Sequence, residues 1–462
     1  MSHPVDDDRL ETLEGLLNDS KSVDGRARLN DEGTLTAVLR LLSSSPPTLI
    51  LPRLQLVRNL CADDPANQDA FIASGGLDRV ASVLCGPPPT VEIVRTVLQV
   101  LANIAAAGEA HRDAVWARFF PVWFREIARV RNSLVCGCLC LVLDVCCSGV
   151  GGRRRLGELC EVGRGLPILI NIVMAMSRVI QKDEYLYWLL GKACIEGIHF
   201  THVFQGLSYV STMVSSTGTD LTYKFFTAEQ VFFLETLSNY LTACPGYLDT
   251  ISKKFALGVL QLMEEAYAVS NVNIQSNSGV TNGATVTDVL EYSLFILRDL
   301  CSWKHRHSPA SETEDPADSL LSAGLIELLL RFLRELKHPN NIKNREIQSC
   351  TDLKVCPYQG FRKDVVSVIC NCLRGRKQVQ DEIRKQDGIP LLLQQCVVDE
   401  YCPYMKELGT ISIRYLLDGN LENQFEVAEL ELRDPVITPQ IAEMGLRVEM
   451  DEKTHRSKMV TV

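Results

Sequence analysis

The chain has 462 residues, of which 46% are hydrophobic and 23% charged, a globular composition that excludes a mainly disordered chain. The 47 Lys and Arg residues against 57 Asp and Glu residues leave a net charge of −10. Because phosphate binding depends on clustered positive charge, we expect no nucleic-acid partner. The acidic start, Met1–Asp8, is unlike a secretory signal, and no apolar stretch reaches the ~18–20 residues of a spanning helix. We therefore expect no membrane insertion, and 17 cysteines that stay reduced in a cytosolic or nuclear protein.

Apolar residues recur along the chain at the spacing of a helix face. Val91, Val94, Leu98 and Leu101 lie three or four residues apart, and a similar stripe begins at Val365. Short breakers rich in Pro, Gly and Ser separate such segments, as connections between helices do. Since sustained alternation with a period of two is rare, we predict an all-α chain without a β-sheet.

The predicted helices form an internal repeat. The segment Val57–Cys61, with Asn59 at its centre, is followed 44 residues later by Leu101–Ala105 with Asn103. Near the C-terminus Ile369–Leu373 is followed at the same distance by Arg414–Leu416. Each unit reads as a helix, a short polar turn, a second helix and a glycine. This period predicts an armadillo/HEAT-like α-solenoid, a right-handed superhelix in which each unit buries its apolar face on its neighbours.

The array is expected to divide into four parts. These are N-terminal armadillo-like repeats (1–206), middle helical repeats with polar loop insertions (207–340), a C-terminal repeat domain (341–432) and a loosely ordered tail (433–462). Three polar stretches are predicted to be surface loops, namely Ser208–Asp220, Ser270–Thr287 and Lys304–Ser319.

Motifs of the common enzyme classes are absent from the sequence. It holds no G-x-x-x-x-G-K-[ST] phosphate loop, no H-E-x-x-H and no G-x-S-x-G. We therefore expect no catalytic residues, no enzymatic activity and no cofactor.

A cluster of cysteines leaves one alternative open. Cys136 and Cys140 share a helix face, and two such thiolates with a third ligand would suit a soft metal such as Cu(I). Without a C-x-x-C or a nearby histidine, the interpretation that we favour is close packing of small buried side chains. A metal- or redox-responsive protein remains the alternative. Two histidine pairs without further ligands are not expected to bind metal: His199/His202 and His305/His307. The cysteine cluster consists of Cys136, Cys138, Cys140, Cys146 and Cys147.

Three asparagines are candidate protein-binding residues. Asn59, Asn103 and Asn371 sit near the ends of the predicted groove-lining helices, where an amide can bond the backbone of an extended peptide. The other interpretation is that each asparagine caps or stops its own helix. The series is interrupted by Asp144, Asp299 and Tyr415, so a peptide-groove transport adaptor is a weaker hypothesis.

Two basic clusters are candidates for docking an acidic surface. One is Arg153–Arg155 with Arg164; for both clusters, solvated turns between helices are the interpretation that we favour. The other is a turn near the C-terminus. We expect Arg374, Arg376 and Lys377 to have no role in packing and to be available to a partner.

The strongest block of motifs begins at Tyr358 and ends near Phe425. Its order resembles the C-terminal domain of the ataxin-10 family, in which "PGF", "GNLC", "DGIPL" and "NxxNQ" follow one another. Gln359 replaces the proline of the first motif, Cys372 a leucine and Tyr415 the asparagine of a late "RNL". The matching segments are Gln359–Phe361, Asn371–Leu373, Asp387–Leu391 and Asn420–Gln424.

This resemblance implies a non-catalytic armadillo-type scaffold in the cytoplasm, including the perinuclear region. The family is associated with cytokinesis and with signalling. Its associated partners, a G-protein β subunit and the intracellular O-GlcNAc transferase, are expected partners of this chain by resemblance alone. The sequence does not predict the oligomeric state.

Overall fold

The computed structural model describes residues 4–42, 46–85, 88–179, 183–208, 226–243, 251–275, 283–302, 315–336, 356–399, 402–430, 446–450 and 457–461. These residues group into two compact units, 1–325 and 326–462. The described part of the chain is almost entirely helical, which confirms the all-α class and the α-solenoid repeats.

The first unit contains eighteen described helices. They are α1 Pro4–Asp19, α2 Val23–Asp31, α3 Thr34–Leu42, α4 Pro47–Leu60, α5 Pro65–Ala73, α6 Gly76–Leu84, α7 Val91–Ala106, α8 Glu109–Phe119, α9 Val122–Arg129, α10 Ser133–Cys146, α11 Gly152–Cys160, α12 Leu166–Met176, α13 Glu184–Leu190, α14 Phe200–Gly206, α15 Ala228–Ala243, α16 Lys253–Gln275, α17 Gly283–Cys301 and α18 Pro316–Ser322. A π-helical turn, Gly191–Glu196, continues α13.

The second unit has six described helices and one described hairpin, with the first residue of α19 at the boundary. They are α19 Leu325–Glu335, α20 Phe361–Leu373, α21 Lys377–Lys385, α22 Gly388–Leu393, α23 Met405–Leu417, α24 Leu421–Glu429, β1 Leu446–Met450 and β2 Ser457–Thr461.

Tight turns between the short helices explain the repeated glycines. Gly75 adopts φ +66° between α5 and α6, a conformation that glycine tolerates without steric cost. The next residue, Gly76, lies against Phe71, whose ring a Cβ would approach to 2.6 Å. In the second unit Gly388 has the same role, because a Cβ there would lie 2.7 Å from Cγ2 of Ile383. The predicted helix–glycine–helix unit therefore depends on close contact between helices as well as on turn conformation.

Two of the predicted loops are partly helical. α16 continues to Gln275 and α17 begins at Gly283, so the prediction of a loop over Ser270–Thr287 is wrong at both ends. Polar residues cost only tenths of a kcal/mol in a helix, and a strongly apolar helix can extend through them. α18 starts inside the predicted loop Lys304–Ser319, because Asp315 accepts a hydrogen bond from the Ala317 amide at a proline-led N-terminus. Residues 209–220 of the first predicted loop lie outside the described residues.

The tail departs from the prediction of a chain without a β-sheet. β1 and β2 form an antiparallel pair in which Leu446 lies opposite Thr461 and Met450 opposite Ser457. In β1, apolar residues alternate with charged ones, which is the period of a strand. Two strands of five residues each give a weaker periodic pattern in the sequence than the twenty-four described helices do.

Candidate functional site

The longer helices of the first unit form a continuous layer. α4, α7, α10, α13, α15 and α17 pack in succession, each on the next. α10 and α13 run parallel, since Gly137 faces Asp183 while Asp144, further along, binds Lys192 Nζ at 2.9 Å. Two of the candidate asparagines lie on this layer, Asn59 on α4 and Asn103 on α7.

The asparagines of this layer are bonded within the protein. Asn103 Nδ2 donates to the backbone carbonyl of Arg58 at 2.9 Å, from α7 to α4. Asn59 Nδ2 donates to Ser20 Oγ at 3.0 Å, and its Oδ1 accepts from the Arg58 guanidinium. Neither side-chain amide caps its own helix. In each, the Nδ2 donor is hydrogen-bonded to a neighbouring element. Asn371, in the second unit, is half-buried near the end of α20.

Two buried glutamines, which are not among the predicted site residues, connect the repeats. Gln68 Nε2 donates to the carbonyls of Cys61 and Asn103, both at 3.0 Å. Gln380 Nε2 bonds the carbonyls of Tyr415 at 2.8 Å and Asp418 at 3.1 Å. A glutamine seven or eight residues after a helix end was the available signal, but its partners in the next repeat could not be inferred from spacing.

Asn239 is a further amide on this layer that the sequence analysis missed. It stands in Ser238–Asn239–Tyr240 near the end of α15, a position like that of the other asparagines. Its backbone carbonyl accepts from the Tyr187 hydroxyl at 2.9 Å. Its Nδ2 is buried and has no hydrogen-bond partner among the described residues.

The basic turn of the second unit is split by burial. Arg374 and Lys377 are exposed, as predicted. Arg376 is only 8% exposed, and its Nη1 donates to the carbonyls of Asn371 at 3.1 Å and Cys372 at 3.4 Å. The prediction that Arg376 has no packing role is therefore wrong, because its guanidinium satisfies carbonyls left open at the end of α20.

The Arg153–Arg155 cluster is largely neutralised within the chain. Arg155 is fully buried and binds Glu109 Oε1 at 2.7 Å and Asp113 Oδ1 at 2.6 Å. The hydrogen bond from Arg155 lowers the pKa of Glu109. Arg154 pairs with Glu158 as well as Asp113. Arg155 is thus the buried member of an ion-pair network whose carboxylates are partly exposed, and the prediction of a solvated turn is wrong for it.

The cysteine cluster lies mainly in the core. Cys136, Cys140, Cys146 and Cys147 are buried, and Cys138 is partly exposed. Burial raises the pKa of Cys136 to about 12, with the Asp183 carboxylate adding to the rise, and burial raises that of Cys146 to about 12. Since oxidants react with the thiolate, these environments favour a packing role over a redox role for these thiols.

Metal-binding geometry is missing from the described parts of the molecule. No group of three His, Cys, Asp or Glu side chains there is placed to hold a metal ion. The rings of His199 and His202 are 6.5 Å apart, and burial lowers the pKa of His199, with His202 and Lys254 adding to the effect. His305 and His307 lie outside the described residues. None of the described helices combines the length and apolar content that crossing a bilayer requires.

Sequence comparison bears on the C-terminal unit directly. Residues 361–459 match the family model described as "Spinocerebellar ataxia type 10 protein domain". The predicted resemblance to the ataxin-10 family is confirmed. Ataxin-10 of Xenopus tropicalis is 22% identical over 404 residues, which cover 85% of this chain and 77% of that protein.

Two other relatives match this chain over about a quarter of their own length. An ataxin-10 homolog of Debaryomyces hansenii is 29% identical over 125 residues, 27% of this chain and 25% of that protein. Ataxin-10 of Bos taurus is 28% identical over 131 residues, 27% of this chain and 28% of that protein.

Two solved structures are distantly similar. An engineered protein has a TM-score of 0.32 at 12% identity, covering 88% of this chain and 94% of its own. A structure from a study of a phosphorylation switch between cadherin and β-catenin has a TM-score of 0.35 at 13% identity, covering 87% and 70%. At these TM-scores neither likeness bears on function.

Proposed function

We propose that the chain is a non-catalytic scaffold that binds other proteins in the cytoplasm, including the perinuclear region, and acts in cytokinesis and intracellular signalling. The observation that carries this proposal is the exposed basic pair Arg374/Lys377 on a turn inside the segment that matches the ataxin-10 domain. The resemblance supports the biological setting, and the layered helices supply a wide surface without a catalytic constellation in the described residues.

The two basic side chains are available for docking because the core does not use them. Neither makes an ion pair or a side-chain hydrogen bond with the described residues. Arg384, in the same region, pairs with Asp381 and Glu422. The buried Arg376 fixes the turn between the two exposed cations. A partner with an acidic surface would therefore meet two unneutralised positive charges held on a rigid turn.

We call the turn that carries Arg374 and Lys377 the docking turn, and reversal of these two charges tests its role. We expect Arg374→Glu/Lys377→Glu to weaken binding of a purified G-protein β subunit or O-GlcNAc transferase by about fivefold or more, with the difference shrinking at high salt. Both proteins are chosen by resemblance. Surface plasmon resonance at two ionic strengths measures the affinities.

The matched control is Arg40→Glu/Arg153→Glu, which reverses two exposed charges in the first unit. It should leave affinity unchanged, and circular dichroism should show equal helicity in all proteins. If the docking-turn variant binds as tightly as the unmodified chain, the docking role of the turn is wrong.

A further inference from the structure

The layer of long helices in the first unit presents one line of polar side chains on α7. From Val94 to Ala105, the residues that are not buried are Arg95, Gln99 and Asn103. They are spaced four residues apart, so they lie on the same side of the helix. This line is therefore the part of the middle of α7 that a ligand can reach.

Arg58 on the neighbouring helix α4 extends to this line. Its Nη1 donates to Gln99 Oε1 at 3.0 Å, and its Nε and Nη2 donate to Asn59 Oδ1 at 3.1 and 2.9 Å. The backbone carbonyl of Arg58 in turn accepts from Asn103 Nδ2 at 2.9 Å. The Arg58 guanidinium is thus held beside α7 by hydrogen bonds to neutral amides.

Arg95 is a half-buried cation without an anion. It makes no hydrogen bond or ion pair with the described residues. Its Nε is buried, whereas its terminal nitrogens Nη1 and Nη2 are not. Glu92, one turn earlier on α7, is exposed and is not paired with it. Arg95 has therefore lost part of its hydration without gaining an ion pair, a loss that a bound carboxylate would offset.

The two arginines are neighbours of the same glutamine, and we call them the arginine pair. Neither forms an ion pair within the described part of a chain whose net charge is −10. Gln99 adds a third donor. Because a guanidinium can only donate, Gln99 Oε1 faces Arg58, and the Nε2 of the same amide has no partner among the described residues.

We propose that the arginine pair binds an acidic peptide segment of a partner protein. Aspartate or glutamate carboxylates of the segment pair with Arg58 and Arg95, and one of them accepts from Gln99 Nε2. A side chain that projects from a peptide can approach Arg95, whose Nε lies below the surface, more closely than a flat folded surface can. This inference rests on the proposed scaffold function and adds a binding surface in the first unit to the docking turn of the second.

Fluorescence anisotropy with a labelled peptide of alternating glutamate and glycine tests this proposal. The full chain carries Arg374→Glu/Lys377→Glu throughout, so that the docking turn attracts no acidic peptide. We expect binding that weakens with salt, and no binding of the peptide in which glutamine replaces every glutamate. Adding Arg95→Gln should weaken binding by about threefold, and adding Arg58→Gln/Arg95→Gln by about tenfold, as expected for one and two partly exposed ion pairs.

Arg153→Gln is the matched control, because it removes one exposed positive charge of the first unit from α11, a helix outside the layer. It should leave the affinity unchanged, and circular dichroism should show equal helicity in all proteins. Equal affinity with and without Arg95→Gln would overturn the inference. So would an equal loss in the Arg153→Gln chain, which would indicate a long-range charge effect. The docking turn is judged separately, by the surface plasmon resonance measurement with the unmodified arginine pair.

Discussion

At the scale of single residues, side-chain amides hold neighbouring repeats together. Gln68, on α5, donates to a backbone carbonyl of α7, and Asn103, on α7, donates to a backbone carbonyl of α4. In the second unit Gln380, on α21, donates to a backbone carbonyl of α23. Because each bond satisfies a buried backbone carbonyl, loss of the amide leaves that carbonyl unpaired. Polar residues that mark the repeat in the sequence are therefore structural links between repeats.

Thiol reactivity distinguishes packing cysteines from a chemical site. We expect iodoacetamide at neutral pH to modify the exposed Cys85 in the native protein and to leave Cys136, Cys140 and Cys146 unmodified. Burial and raised thiol pKa both suppress the reactive thiolate. Mass spectrometry of digested protein locates the modified residues.

Denatured protein, in which every cysteine should react, is the control. Modification of Cys136 or Cys140 in the native protein at the rate of Cys85 would contradict this prediction. It would also restore the redox alternative for the cluster.

At the scale of helices, a glycine allows one helix to lie directly against the backbone of its neighbour. Gly409 lies in α23 with its backbone against the chain that follows α22. A Cβ there would be 2.7 Å from the carbonyl oxygen of Gln395 and 3.0 Å from the amide nitrogen of Cys396. Since both atoms are backbone, the neighbour cannot move aside as a side-chain end would.

Two glycine substitutions test this contact. Gly409→Ala should lower the free energy of unfolding by about 2 kcal/mol through overpacking. Gly157→Ala, in α11 with open space around the position, should raise it by roughly 0.5–1 kcal/mol through helix propensity. Urea unfolding followed by circular dichroism measures both. Equal effects of the two substitutions would show that the contact in α23 is not restrictive.

The helices were predictable from the sequence because their signal is local. A stripe such as Val94, Leu98 and Leu101 is recognised from residues only three or four positions apart, and all three are buried in the structure. The hydrogen-bond partners of Gln68 and Asn103 lie 35 and 45 residues away, so spacing identified Asn103 as a candidate without revealing its bond. Arg376 was misjudged for a related reason, because charge suggests exposure unless nearby open carbonyls are considered.

At the scale of the whole molecule, each of the two units is a series of interfaces between neighbouring helices. In such arrays a destabilising change acts mainly on its own region. All four tryptophans, Trp116, Trp123, Trp188 and Trp303, precede the boundary at Leu325. Tryptophan fluorescence therefore reports the first unit alone, whereas circular dichroism reports helices of both.

This separation of probes gives a prediction. Gly409→Ala should shift the urea transition seen by circular dichroism and leave the fluorescence midpoint unchanged. Gln68→Ala, which removes a donor to two carbonyls of the first unit and should cost about 2 kcal/mol, should lower the fluorescence midpoint. A fluorescence midpoint that falls equally in both variants would mean that the two units unfold in a single step.

The neighbour-to-neighbour bonding also determines how the first unit responds to a pulling force. Its links join positions on different helices, such as Gln68 and Asn103, 35 residues apart, and Thr242 and Asp299, 57 residues apart. Tension applied along such a stack passes through its interfaces in turn. The weakest interface then gives way first and releases slack while the others keep their shape. We therefore expect the first unit to lengthen in steps under load, one interface at a time.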